Sequence, residues 1–367
     1  MKVAVLGAGG FVGGHLLRYL RGNGHEARAI FHHRPCAPDP DYRVADVCDV
    51  YALRDALAGC DYVVHAALGN DTVITDSVAP VYAAAEAVGV RRLIYISSGS
   101  VHGQSPAQDT DETAPLSVRQ RLPYNNAKVR AERRLKRLRA RGTVELVILR
   151  PTIVFGPGSR WVSDFADRLQ NHTAYVVDGA AGICNSIFVD NLSYAVILAL
   201  AAVNVDGEVL LLADREPVRW SDLYRPIAQA FGVEFDSVPS LSPPRPQRTI
   251  RQRYLDPFLR SEVGRTINGL VPRRAKDAVK RALRIIRHGT RPVDRDISAV
   301  PPRAAAFCAA DVPAEIADLQ RCQWRLPHDK ATRLLGYMPP VTFADGLRRS
   351  IEWLKERHAQ RATQITS

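Results

Sequence analysis

The strongest constraint on this chain is its opening. An apolar run, Lys2-Val3-Ala4-Val5-Leu6, passes at once into Gly7-Ala8-Gly9-Gly10-Phe11-Val12-Gly13 and then into a stretch with helical periodicity. A strand whose consecutive residues are apolar is buried on both faces, and sheets of that kind are parallel and covered by helices. The glycines between strand and helix let backbone N–H groups approach a pyrophosphate, and the helix N-terminus adds a favourable dipole. Further short apolar runs follow at Glu26–Phe31, Asp61–Ala66, Arg92–Ser97 and Glu145–Arg150. They alternate with helical patterns near Phe11–Gly22, Val50–Ala58, Thr75–Val88 and Asn125–Ala140. The expected fold is therefore α/β, a doubly wound parallel sheet.

Beyond Pro151 the alternation weakens. Short strands are expected at Ser186–Val189 and Val209–Ala213, and helices at Leu192–Ala202, Ser221–Phe231 and across Lys330–Lys355. A chain of 367 residues has room for one large α/β domain with a smaller lobe, or for two domains. The expected division is a dinucleotide-binding domain over 1–155, to which later segments return, and mainly a substrate-binding lobe over 156–367.

The formal net charge of +12 is concentrated. Sixteen Lys/Arg stand against five Asp/Glu between Leu241 and Arg303, after a proline-rich break at Val238–Pro246. Within this basic insert, 241–303, Val279, Ala282, Leu283 and Ile286 recur at helical spacing with cations on the other face. Such a helix packs on the substrate lobe or lies on an anionic membrane surface. No aromatic stacking pattern accompanies it, which weighs against nucleic acid. The six cysteines are scattered without metal-site spacing, so no metal is expected, and they read as reduced thiols of a cytoplasmic protein. No stretch approaches the roughly 20 apolar residues of a membrane span, and the glycine turn interrupts anything resembling a signal sequence.

Downstream of the glycine turn, Ser97-Ser98-Gly99-Ser100-Val101-His102-Gly103 follows the fourth apolar run, and Tyr124-Asn125-Asn126-Ala127-Lys128 follows later. A Tyr-x-x-x-Lys supplies a phenol whose proton can be moved and an ammonium near it. Arg150-Pro151-Thr152-Ile153-Val154-Phe155-Gly156-Pro157-Gly158 and Val189-Asp190-Asn191 complete the series. In this order the motifs resemble the extended short-chain dehydrogenase/reductase superfamily, of the NAD-dependent epimerase/dehydratase and 3β-hydroxysteroid dehydrogenase type. The resemblance covers residues 1 to about 235 and again about 326–355.

The resemblance implies a Rossmann-type domain with a smaller C-terminal substrate-binding lobe, and a catalytic set of Ser98, Tyr124 and Lys128. It assigns to the cofactor Gly7, Gly10, Phe11, Val12 and Gly13 at the diphosphate, and Asp46 with Val47 at the adenine. Ala66 and Ala67 lie beneath the cofactor, while Lys128, Pro151 and Ile153 serve its nicotinamide end. Lys128 and the nicotinamide ring are expected to lower the Tyr124 phenol from its free value of about 10. His65 is read as structural. The second strand ends in Phe31-His32-His33-Arg34 without an acidic residue, so Arg34 would pair with a 2′-phosphate and select NADP, with NAD as the alternative.

The chain departs from the family at three places. His102 replaces the usual tyrosine of Val-Tyr-Gly, and Ile74 stands where an asparagine is common. The groups that hold a nucleotide-sugar diphosphate are missing from Gly158-Ser159-Arg160-Trp161-Val162 and from Cys184-Asn185-Ser186-Ile187-Phe188. The expectation is therefore a net oxidoreductase on an alcohol or ketone carbon. The alternatives are a nucleotide-sugar epimerase or dehydratase with transient hydride transfer to NAD, and a cofactor-binding module without catalysis. The expected partner is a small-molecule substrate, with an anionic or lipid-linked one, peripheral membrane contact and a homodimer left open.

Overall fold

The computed structural model describes residues 1–33, 39–243 and 312–366, with side chains to residue 360. Arg34 and the amphipathic helix expected around Val279–Ile286 lie outside the described residues. The elements below belong to the compact unit formed by residues 1–242 with 311–367.

The first half alternates strand and helix: β1 (Lys2–Leu6), α1 (Phe11–Gly22), β2 (Glu26–Phe31), β3 (Tyr42–Val44), α2 (Val50–Leu57), β4 (Tyr62–His65), α3 (Asp71–Asp76), α4 (Val78–Ala87), β5 (Arg92–Ile96), α5 (Pro123–Arg139) and β6 (Glu145–Pro151). Then come β7 (Ile153–Phe155), α6 (Arg160–Gln170), β8 (Val176–Val177), β9 (Ser186–Phe188), α7 (Val189–Ala201), β10 (Val209–Leu212), α8 (Trp220–Ala230) and β11 (Ser240–Leu241). The last elements are α9 (Ala314–Gln320), α10 (Asp329–Leu335) and α11 (Phe343–Thr366).

Seven strands form one sheet in the order β10-β6-β5-β4-β1-β2-β3, and all its pairings are parallel. The expected doubly wound architecture is present. One face is covered by α1, α7 and α10, through Leu16, Leu20, Val196, Ala199 and Tyr337. The other carries α2, α4 and α5, through Leu53, Val81, Ala127, Ala131 and Leu135. A third cluster joins α6, α8 and α11 around Phe165, Trp220, Leu223, Ile227 and Leu354. Its rings pack closely, with Phe165 and Tyr224 stacked at 4.0 Å.

Because β1 lies between β2 and β4, the connections leaving β1 and β4 diverge and open a crevice at the strands' C-terminal ends. Both loops there contain the small residues that the sequence singled out.

Several boundaries differ from expectation. The helix expected over Thr75–Val88 is two helices, α3 and α4, meeting at Ser77. Pro80 lacks the N–H that would bond back to Asp76, and the Ser77 hydroxyl sits 3.0 Å from His65 Nε2. The single C-terminal helical stretch is also two helices. Gly336 (φ +65°) ends α10 in the left-handed conformation, and Pro339-Pro340 precede α11.

Candidate active site

The glycine turn is fixed by steric limits on two of its members. Gly7 has φ +83°, and a β-carbon there would lie 2.5 Å from Ala67 Cα. At Gly13 a β-carbon would meet the Gly7 carbonyl oxygen at 2.1 Å. The start of α1 is thus pressed onto the turn, and the turn onto the loop after β4. Gly10 caps α1 with extended backbone and no side-chain acceptor, and the first turn carries no acid. The amides of Phe11 and Val12 therefore point to an anion rather than to a protein cap. This cradle fits a dinucleotide diphosphate.

Around it, Ala66 and Ala67 are half-buried. Asp46 is exposed and accepts a bond from the Cys48 amide at 2.9 Å, while Val47 packs against the sheet's second face. His65 is buried below the alanines, and burial with the nearby Lys128 charge pushes its imidazole down to about 3. A ring held neutral and bonded to Ser77 is a structural group, as the sequence indicated.

Tyr124, Lys128 and Glu132 lie at i, i+4 and i+8 on α5 and share one face. Ser98 follows β5 and caps a short 3-10 turn. Its Oγ accepts the Ser100 amide at 3.2 Å and lies 2.9 Å from Ser100 Oγ. Lys128 is buried, donates to the Ile96 carbonyl at 2.7 Å, and sits 4.8 Å from the Tyr95 ring and 5.9 Å from the Tyr124 ring.

In the protein alone, burial raises the Tyr124 phenol above its ordinary value, opposed by the Ser98 hydrogen bond and the Arg160 charge. The Lys128 ammonium is anchored on the Ile96 carbonyl. Burial brings Lys128 itself down to about 8, with Glu132 opposing.

Beneath this face lies a network that the sequence did not disclose. Glu132 accepts from Ser97 Oγ at 2.5 Å and from Arg150 Nε and Nη2 at 3.0 and 2.6 Å. Arg150 Nη1 reaches His102 Nε2 at 3.1 Å and the Glu112 carbonyl at 3.3 Å. Burial and the Arg150 cation push His102 down to about 4. The residue standing in the place of tyrosine is therefore a neutral partner of Arg150. Gln120 is clamped by Asn125 and Asn126, which fixes the loop entering α5.

Pro151 ends β6, and the amides after it are already engaged. Thr152 N–H donates to Leu212 at 2.9 Å and Ile153 N–H to Asn185 at 2.8 Å. Both amides are thus paired within the protein. Asn185, where a diphosphate-binding arginine would precede, instead holds the chain's later segment. Its amide donates to Trp324 O at 3.0 Å and its oxygen accepts Leu326 N–H at 2.8 Å. Leu326 in turn reaches the turn at Gly99, where a β-carbon would lie 3.2 Å from its Cδ1. Asp190 bridges His15 of α1 and Arg349 of α11, at 3.8 and 3.4 Å, and Asn191 exchanges two bonds with Val341.

Among the described residues no group of three potential metal ligands occurs, and no helix is long and apolar enough to cross a membrane.

Comparison with known proteins accords with this geometry. Residues 3–213 match the family described as NAD dependent epimerase/dehydratase. The chain is 28% identical over 258 residues to a 3β-hydroxysteroid dehydrogenase/Δ5→4-isomerase of Mycobacterium tuberculosis, covering 63% of this chain and 70% of that protein. It is 27% identical over 260 residues to a 2-alkyl-3-oxoalkanoate reductase of Stenotrophomonas maltophilia, covering 64% and 76%. The fold resembles that of the dTDP-glucose 4,6-dehydratase DesIV from Streptomyces venezuelae, solved with NAD bound. The TM-score there is 0.68 at 19% identity, over 98% of both chains. With the family matching more than half of its length and the expected sheet in place, this chain belongs to the NAD dependent epimerase/dehydratase family, within the extended short-chain dehydrogenase/reductase enzymes.

Proposed function

We propose that the protein is a net oxidoreductase that interconverts an alcohol and a ketone, with Ser98, Tyr124 and Lys128 performing the acid–base work. The observation that carries this reading is Tyr124 one helical turn before the buried Lys128 on α5, whose ammonium is anchored on the Ile96 carbonyl two residues before Ser98. The cofactor, when bound, supplies or accepts the hydride. Gly7, Gly10, Phe11, Val12 and Gly13 hold its diphosphate, Asp46 and Val47 its adenine, and Ala66 and Ala67 leave room beneath it. Lys128, Pro151 and Ile153 border its nicotinamide end. Residues 1–155 form the cofactor-binding part, to which later segments return, and 156–367 are mainly the substrate lobe.

In the direction of reduction, Tyr124 Oη gives its proton to the substrate oxygen as the carbonyl carbon becomes a carbinol. Ser98 Oγ holds that oxygen in place. A phenol, ordinarily near 10, is protonated near neutral pH, so Tyr124 can donate in ketone reduction and by microscopic reversibility its phenolate accepts in alcohol oxidation. The names of the two relatives point to the same net chemistry. NADP is the preferred cofactor on the strength of Arg34 in the sequence. The missing diphosphate-binding groups, and the use of Asn185 to hold Trp324 and Leu326, weigh against a nucleotide-sugar epimerase.

Absorbance at 340 nm with NADPH and a panel of ketones tests the reading. Net loss of signal is expected with the wild type, and Tyr124→Phe should lose about 10²–10⁴-fold in rate while cofactor affinity holds. Turnover of a nucleotide sugar without net absorbance change would favour the epimerase instead. A Phe variant retaining a third or more of the rate would remove Tyr124 from the mechanism.

A further inference from the structure

Tyr95 lies on β5 and is buried. Alternate residues of a strand face the same side of a sheet. Leu93 and Tyr95 therefore enter the cluster that α5 covers, while Ile94 and Ile96 enter the opposite one. Two residues on, Ser97 meets Glu132 of α5 at 2.5 Å. Tyr95 meets Lys128 of the same helix, with Nζ over its ring at 4.8 Å from the centroid, closer than to the Tyr124 ring at 5.9 Å. Nζ also donates to the carbonyl of Ile96, the next residue on the strand, at 2.7 Å. Consecutive residues of β5 thus offer the ammonium an aromatic face and an oxygen. An aromatic face carries negative potential and attracts a cation within about 6 Å, most strongly where both are out of water.

The hydroxyl of Tyr95 has no comparable use. Among the described residues its buried Oη has no hydrogen-bond partner. The ring is nevertheless held in one attitude. Tyr95 stands opposite His65 in the parallel pairing of β5 with β4, and the two rings meet edge to face with centroids 5.5 Å apart. His65 is fixed in turn by the Ser77 hydroxyl at 3.0 Å. Burial keeps the imidazole neutral, so it sets no second positive charge against Lys128. The remaining charges beside the ammonium are Glu132, on α5 itself, and Arg150 of β6, to which Glu132 is bound.

We propose that Tyr95 is a positioning residue for Lys128: its ring, braced edge-on by His65, seats the ammonium on the face of α5 shared with Tyr124, and its hydroxyl is dispensable. The consequence for turnover rests on the acid–base role proposed above for Lys128. Tyr95 acts through that lysine. His65, which resembles a base in the sequence, has its use in steadying the aromatic seat.

The test places phenylalanine at position 95, and then mono- and trifluorinated phenylalanine, which keep the shape of the ring while draining the negative potential of its face. Ionisation of Lys128 is read by NMR of isotope-labelled lysine, with Lys128→Met identifying its signal. Turnover is followed against pH in parallel. Lys128 lies at about 8 in the parent protein, and Tyr95→Phe should leave it and Tm in place. Weakening the attraction disfavours the ammonium, so fluorination should bring Lys128 down stepwise. A total fall of about one pH unit is expected for the trifluorinated ring, the size of a desolvated cation–π contact. The alkaline limb of the pH–rate profile should descend with it. A Lys128 titration indifferent to fluorination overturns the proposal. A Tyr95→Phe variant shifted as far as the trifluorinated one also overturns it, since the hydroxyl would then be responsible. An active enzyme whose alkaline limb stays still while Lys128 moves breaks the link to the reaction. The NMR readout needs no turnover, so the two readings fail separately. If no ketone is reduced yet Lys128 follows the ring, the oxidoreductase reading falls and the aromatic seat stands.

Discussion

Replacing Glu132 by glutamine removes one charge and almost no volume, and it should be among the most damaging changes distant from substrate. The Arg150 and Glu132 side chains are each only 2% exposed, and they meet through two hydrogen bonds. Breaking a buried pair by neutralising one partner leaves an uncompensated charge and costs about 3–5 kcal/mol. For a domain of this size each kcal/mol lowers Tm by roughly 2–4 °C, so a fall of roughly 6–20 °C is expected by differential scanning fluorimetry. The double variant Glu132→Leu with Arg150→Met removes both charges and should recover most of that loss, because apolar replacement of a buried pair is often neutral. A second readout follows from Lys128, whose amine Glu132 helps to keep protonated. Glutamine should move it further down from about 8, shifting the alkaline limb of the pH–rate profile to lower pH. A Tm change below about 2 °C, or a double variant no more stable than the single, would refute the argument.

Gly13→Ala should abolish cofactor binding, since its β-carbon would meet the Gly7 backbone. Gly22→Ala on the same helix, with open space around it, should stabilise by about 0.5–1 kcal/mol, and equal cofactor Kd values for the two variants would contradict the assignment. Asp214 is buried, and burial raises its carboxyl to about 7, with bonds from Asn191 and Phe188 opposing. The folded state binds this proton more tightly than the unfolded chain does. Its contribution is therefore full below about 4 and is lost as pH rises through about 7, on the order of 4 kcal/mol at most. Asp214→Asn should accordingly gain on wild type between pH 5 and pH 8 in urea melts, and parallel curves would count against it. Arg34→Ala should weaken NADPH but not NADH in fluorescence titrations; equal parent affinities for the two cofactors would reverse the NADP preference.

The parallel sheet was legible because each of its inner strands is a nearly unbroken apolar run, and the glycines mark where helix, turn and strand touch. β3 escaped notice because Tyr42-Arg43-Val44 is short and largely exposed at a sheet edge. α6 was legible but passed over: Val162, Phe165, Ala166 and Leu169 stand at i, i+3, i+4 and i+7, a helical stripe directly after the glycine-proline turn. The reactive trio could be read from local spacing. Its support could not. Ser97, Glu132 and Arg150 come from three separate elements, and only the adjacency of β5 and β6 beneath α5 brings them together. The role of Asn185 depends likewise on what the fold places opposite it.

The order in which this architecture is completed bears on how it is made. All seven strands of the main sheet have been synthesised by Leu212. One face still lacks Ala331, Leu335 and Tyr337, and the pocket wall still lacks Trp324 and Leu326. A chain emerging from the ribosome therefore exposes a finished sheet with an apolar flank uncovered. It gains both its cover and its reaction chamber only when the segment from Cys322 through α10 docks. The strands of the sheet thus precede part of their own cover in the chain, and the site is complete only once the segment from Cys322 through α10 has packed against them.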